Sequence, residues 1–213
     1  MALVRQMDPE LCALKVGHEL FTLLGPEFVR ELVSKGFKIF LDLKFHDIPN
    51  TVAKACLAAA ELGVWMINVH AAGGLAMMQA AKSAIHEYHG IPPLLIAVTV
   101  LTSMDDAELS AVGVNHSLQK QVVQLALLAK QAGLNGVVSS AQEASIIKKA
   151  CGHDFLTVTP GIRFDDKAAN DQKRIMTPTN AIQLGSDYLV VGRPITAAVH
   201  PLKAVKSILA SLP

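Results

Sequence analysis

An α/β fold built on a parallel sheet is what this sequence predicts, and three observations carry the prediction. Short apolar or β-branched runs alternate strictly with amphipathic helical stretches. The interval between successive runs is mostly one supersecondary unit, and no linker rich in Gly, Pro or Ser interrupts the series. With 51% hydrophobic and only 17% charged residues among 213, the chain can bury one sizeable core. A single domain over 1–213 is therefore expected, and a (β/α)8, or TIM, barrel is preferred to two domains.

The elements follow in order. Strands are expected over 13–17, 37–43, 65–70, 94–100, 136–139, 155–159 and 188–192, where apolar and β-branched residues run without helical periodicity. Helices are expected near 26–35, 51–62, 75–88, 118–131, 141–150, 179–184 and 202–212. Seven strands are one short of a barrel, which typically takes about 250 residues and begins with a strand. Residues 2–7 read instead as the tail of a helix. The first strand is thus expected to be missing, through N-terminal truncation or a start called late.

Charge and cysteine usage narrow the function classes. The 19 basic and 18 acidic residues are interspersed and sum to +1, leaving no electrostatic footprint for nucleic acid or a membrane surface. Cys12, Cys56 and Cys151 are odd in number and lie in apolar sequence, which argues for reduced thiols and a cytoplasmic setting. The first ten residues carry Arg5, Asp8 and Glu10 and lack an apolar signal core. Residues 62–81 hold no charge, yet Asn68, His70, Gly73, Gly74 and Gln79 divide them into a strand, a turn and a helix rather than a membrane span.

The candidate site centres on DLKFHDIPNT, residues 42–51. Side chains two apart on a strand share a face, so Asp42 and Lys44 are expected to point together where the apolar strand ends, with Asp47 in the turn beyond. One reading is an ion pair plus a helix cap. The other is a carboxylate, ammonium, carboxylate array that keeps Lys44 charged as a general acid. Lys15 ends the preceding strand, where a barrel would turn its ammonium toward Asp42. His18, His46 and His70 follow or end adjacent strands and raise the question of a metal, but no HxH or HExxH spacing supports one.

Five further segments match in order: LKVGHELF, VTVLTSM, VTPGIR, DQKRIMTP and VVGRPI. Together with DLKFHDIPNT they give the chain, over essentially its whole length, a sequence that resembles the orotidine 5'-monophosphate decarboxylase family. The resemblance implies decarboxylation of orotidine 5'-monophosphate to uridine 5'-monophosphate in pyrimidine biosynthesis, with no metal or organic cofactor. It assigns Lys44 to C6 of the pyrimidine as proton donor, Asp42 to the neighbourhood of the departing carboxylate, and Lys15 to the array and the ribose. A homodimer with shared active sites is also implied, in which Asp47, Ile48 and Thr51 reach into the other subunit's pocket. The family's first strand ends in an Asp that holds the ribose, and no residue here matches it.

The remaining segments add ligand contacts. Thr102 and Ser103 end a strand, and by resemblance Thr102 lies at the pyrimidine; the connection 105–117 that follows is longer than an ordinary loop and is expected to fold over ligand. Arg163 opens a polar connection over 164–177, which resemblance makes a phosphate-closing loop using Arg163 and Gln172. Gly192 and Arg193 follow the last strand, where barrels commonly hold phosphate and where a guanidinium binds it bidentately. Two alternatives stand beside this reading. A metal-dependent decarboxylase or aldolase of sugar phosphates shares the Asp-x-Lys-x-x-Asp core, although the Ile48-Pro49-Asn50-Thr51 continuation argues against it. A non-catalytic phosphate-binding module would follow if the missing strand abolished activity.

Overall fold

The structure is a computed structural model and describes residues 1–163 and 176–213. Two compact units are present, one formed by Asp8–Val98 with Leu128–Asn135, the other by Met1–Met7, Thr99–Leu127 and Gly136–Pro213. In the first, β1 (Leu14–Gly17), α1 (His18–Ser34), β2 (Ile39–Phe45), α2 (Pro49–Ala60), β3 (Met66–His70), α3 (Leu75–His86) and β4 (Leu94–Val98) follow one another. Its strands pair in sequence order, all parallel. A helical crossover lies on every connection, and Ile39, Leu41, Ile67 and Leu95, which share one face of the sheet, are buried within two per cent. Trimming one such side chain, Leu41→Ala for instance, costs about 2–5 kcal/mol.

The chain continues through α4 (Asp106–Ala111), α5 (Leu118–Gln131), β5 (Gly136–Val138), α6 (Ala141–Cys151), β6 (Leu156–Thr159), α7 (Pro178–Gln183), β7 (Tyr188–Leu189), α8 (Arg193–Thr196) and α9 (Pro201–Ser211). β5, β6 and β7 are again parallel and sequential. Ser140 caps α6 with Glu143 reciprocating, a capping box that closes orphan N–H groups at the helix start. Ala141, Ile162 and Ala181 form a small core with Met176, Leu189 and Val191 against it. Among the described residues seven strands are present, the count expected for the barrel winding with one strand missing, and every predicted strand is found.

Three expectations need correcting. The connection 105–117 is not loop throughout but holds a capped six-residue helix, Asp106–Ala111: Asp105 accepts from Glu108 N, the Glu108 side chain answers Asp105 N, and Asp106 Oδ1 accepts from Leu118 N at 2.6 Å. The helix predicted to start at 26 begins at His18, because two helical segments join across a kink at Gly25, whose φ of 67° is easily adopted only without a Cβ. Leu20, Leu23 and Leu24 in its first half stand at helical spacing, although all three side chains are exposed. Finally, β7 ends at Leu189, short of 192, with one further bond from Val190 N to Thr159 O.

Candidate active site at the end of the second strand

The ladder between β2 and β3 is regular as far as Leu41, opposite Ile67, and resumes at Phe45, opposite Val69. Four steps on β2 thus face two on β3, so Asp42, Leu43 and Lys44 form a bulge. Lys44 takes a left-handed backbone with φ of 49°, and among the described residues it is the only non-glycine with positive φ. Such a conformation costs about 1–3 kcal/mol and persists only where its surroundings hold it. Strand alternation is therefore not what brings Asp42 and Lys44 together; the bulge re-aims the lysine.

Three charged groups meet there. Lys44 Nζ donates to Asp42 Oδ1 at 2.7 Å, and Lys15 Nζ lies 3.1 Å from Asp42 Oδ2. Lys15 reaches the carboxylate from β1, where Gly17 pairs with Asp42; a Cβ on Gly17 would sit 3.1 Å from the Lys15 ammonium, so glycine leaves the space that ammonium uses. Asn68, on β3 and fully buried, completes the cluster through Nδ2 to Asp42 Oδ1 at 2.7 Å and by accepting Lys44 N–H at Oδ1, 2.8 Å. Burial pushes the Asp42 carboxyl up, but Lys15, Lys44 and the bonds from Lys44 and Asn68 outweigh it and hold the group below its ordinary value. Asp42 is thus held ionised between the Lys15 and Lys44 side chains.

Asp47, Ile48 and Thr51 are exposed beyond the strand, Ile48 by 66%. Asp47 does not cap α2; Ile48 is the N-cap, and Asp47 Oδ1 accepts the adjacent Ile48 N–H at 2.7 Å. His46 and His70 stack with centroids 5.3 Å apart, and burial, His46 and Lys44 push His70 down from its ordinary value. Among the described residues no three His, Cys, Asp or Glu side chains are grouped to hold a metal ion, and no helix is long and apolar enough to cross a membrane.

The other predicted residues lie in the second unit. Thr102 is buried and Ser103 exposed. Arg163 is 9% exposed and donates through Nη1 to Ile162 O at 2.8 Å, while its backbone bonds Met176 O. Gly192 is the N-cap of α8 and Arg193 its first, exposed residue. Gln172 falls outside the described residues. Sequence reasoning missed Asn68 as a site residue. The available signal was an amide inside the apolar run Met66-Ile67-Asn68-Val69, a place where a polar group needs partners.

Comparison with known proteins adds to this geometry. Residues 1–208 match the profile of the Orotidine 5'-phosphate decarboxylase / HUMPS family. An orotidine 5'-phosphate decarboxylase of Legionella pneumophila (strain Lens) is 61% identical over 212 residues, covering 100% of this chain and 93% of the relative. One from Vibrio parahaemolyticus is 58% identical, covering 100% and 91%. Among solved structures, the orotidine 5'-phosphate decarboxylase of Lactobacillus acidophilus superposes with a TM-score of 0.88 at 38% identity, covering 99% of this chain and 91% of that one.

Proposed function

This chain belongs to the orotidine 5'-phosphate decarboxylase / HUMPS family, and from that premise we propose how its residues divide the work. The reaction is decarboxylation of orotidine 5'-monophosphate to uridine 5'-monophosphate, a step of pyrimidine biosynthesis. Breaking the C6–carboxylate bond releases CO2 and leaves an electron pair on C6 that the ring does not delocalise. Catalysis therefore has to come from charge already in position. Lys44 is the cation beside C6 and gives it a proton; solvent then returns one to the amine. Asp42, ionised between Lys15 and Lys44, fixes the Lys44 side chain in place. The single observation that carries this reading is the Lys15–Asp42–Lys44 cluster on a strained, bulged strand end.

Lys15 also binds the ribose, Thr102 the pyrimidine, and Arg163, Gln172, Gly192 and Arg193 the phosphate, all by resemblance. Binding energy gathered at the phosphate supports the chemistry at C6. The chain acts as one catalytic domain, as the family match over 1–208 supports. It works in the cytoplasm as a homodimer. Support for the dimer is the exposure of Asp47, Ile48 and Thr51 beside the site, available to a second subunit. Support for the compartment is that Cys12, Cys56 and Cys151 are all free, none of them in a disulfide.

Release of CO2 from orotidine 5'-monophosphate, undiminished by EDTA, is the expected result. A preparation that needs Mg2+ would instead favour the sugar-phosphate chemistry. Sharing of sites is tested by mixing. Inactive Lys44→Ala and Asp47→Ala chains, refolded together, should regain roughly a quarter of the parent activity, since half the dimers are mixed and half their sites intact under two-fold symmetry. No recovery with exchange verified by mass spectrometry would confine Asp47 to its own chain.

A further inference from the structure

We propose that Asn68 is a positioning residue for the decarboxylation, locking the bulged strand so that the Lys44 ammonium and the Asp42 carboxylate stay in register. The inference rests on the assignment of Lys44 to C6. Asn68 is fully buried on β3 between Ile67 and Val69, where an amide costs free energy unless both its ends are bonded. Both ends are bonded, and both bonds go to the site. Nδ2 meets Asp42 Oδ1 at 2.7 Å, the oxygen that also takes the Lys44 ammonium, and Oδ1 takes the Lys44 N–H at 2.8 Å.

That second bond falls where the β2–β3 ladder is interrupted and at the residue whose φ is 49°. A backbone N–H thrown out of the ladder by a bulge needs a replacement acceptor, and the side chain opposite supplies it. One amide thus holds the lysine by its backbone and the carboxylate by its side chain. Asn presents a donor and an acceptor on a short planar group, which neither Asp nor Leu of similar size can do. The bonds Asn68 makes bypass the rest of the framework, so its removal is expected to move the reacting groups more than the fold.

Two variants of near-conserved volume test this, Asn68→Leu, which loses both bonds, and Asn68→Asp, which keeps an acceptor for Lys44 N–H but sets a carboxylate against Asp42. In each, kcat should fall about 10- to 100-fold, the change that losing a hydrogen bond to a charged group converts to. KM and the affinity for uridine 5'-monophosphate should stay within about threefold, because the phosphate contacts lie on other residues. A folded variant with kcat within about threefold of the parent would overturn the inference. So would KM rising in step with the loss of kcat, or loss of the folded state in both variants, either of which would make Asn68 part of the framework. The parent chain assayed alongside separates the claims. An inactive parent would overturn the assignment of the reaction and this inference with it, whereas an active parent with indifferent variants overturns this inference alone.

Discussion

Lys44–Asp42 and Lys148–Asp187 each close to 2.7 Å, yet the surroundings of the two pairs differ in every other respect. Lys148 is 8% exposed and spends all three of its N–H donors, on Asp187 Oδ2 at 2.7 Å, His153 O at 2.7 Å and Phe155 O at 3.0 Å. Asp187 in turn takes Thr157 N at 2.6 Å and Thr157 Oγ1 at 3.0 Å, tying α6 to the start of β6 and the approach to β7. The Lys44 ammonium, among the described residues, hydrogen-bonds Asp42 alone, on a left-handed backbone, with a second ammonium 3.1 Å from the same carboxylate. A saturated lysine holds elements together. An ammonium with donors to spare, concentrated with like charge and mounted on strain, is placed to act on something else.

Exchanging the two lysines should therefore give opposite phenotypes, and this is the largest effect expected. Lys44→Ala should lower kcat at least about a thousandfold, as removal of both the general acid and the main local charge does, with thermal stability nearly unchanged. Lys148→Met should leave kcat of the folded enzyme within a few-fold but destabilise it by about 2–3 kcal/mol, discounted from a fully buried pair because Asp187 is 31% exposed. For a chain of this size that is roughly 5–10 °C in Tm. Parallel kinetics and calorimetry on the two variants would show whether the contrast survives; similar profiles would erase it.

A smaller effect sharpens the catalytic side. Gly17→Ala places a methyl 3.1 Å from Lys15 Nζ, so the ammonium must shift a few tenths of an ångström from Asp42. A loss of about three- to tenfold in kcat/KM is expected. An unaffected kcat/KM would mean that the Lys15 position is not tuned.

The smallest expected effect is in pH-dependent stability. His70 has a folded value depressed by burial, His46 and Lys44, so on acidification the unfolded chain takes up its proton first. Stability should fall as pH drops from about 6.5 toward that lower folded value. His70→Asn should flatten denaturant midpoints across this window, while Lys148→Met should leave their slope as in the parent. An unchanged slope in His70→Asn would place the proton uptake elsewhere.

Most of the frame was legible because it is written locally. The strands read as apolar or β-branched runs, and all seven were found from those runs. Lys15, Asp42 and Lys44 were legible as chemistry because ionisable residues are out of place at the ends of such runs. Asn68 was not, since its meaning depends on pairing with a residue 24 positions away at a bulge. The left-handed Lys44 was equally hidden, as nothing in its own sequence favours positive φ. The α4 helix is a different kind of miss. Its Asp105-x-x-Glu108 capping box stood in the sequence, but the stretch is too short to show periodicity. For α8, four residues long, no periodic signal exists to read.

The central claim is that Lys44 exchanges a proton with C6, and microscopic reversibility lets the product report it. Uridine 5'-monophosphate incubated with the enzyme in D2O should lose its C6 proton signal by NMR, replaced by deuterium. Lys148→Met should exchange at a rate within a few-fold of the parent. Lys44→Ala should not exchange above the enzyme-free control. Exchange in Lys44→Ala at more than about a tenth of the parent rate, a difference of only about 1.4 kcal/mol, would contradict the account.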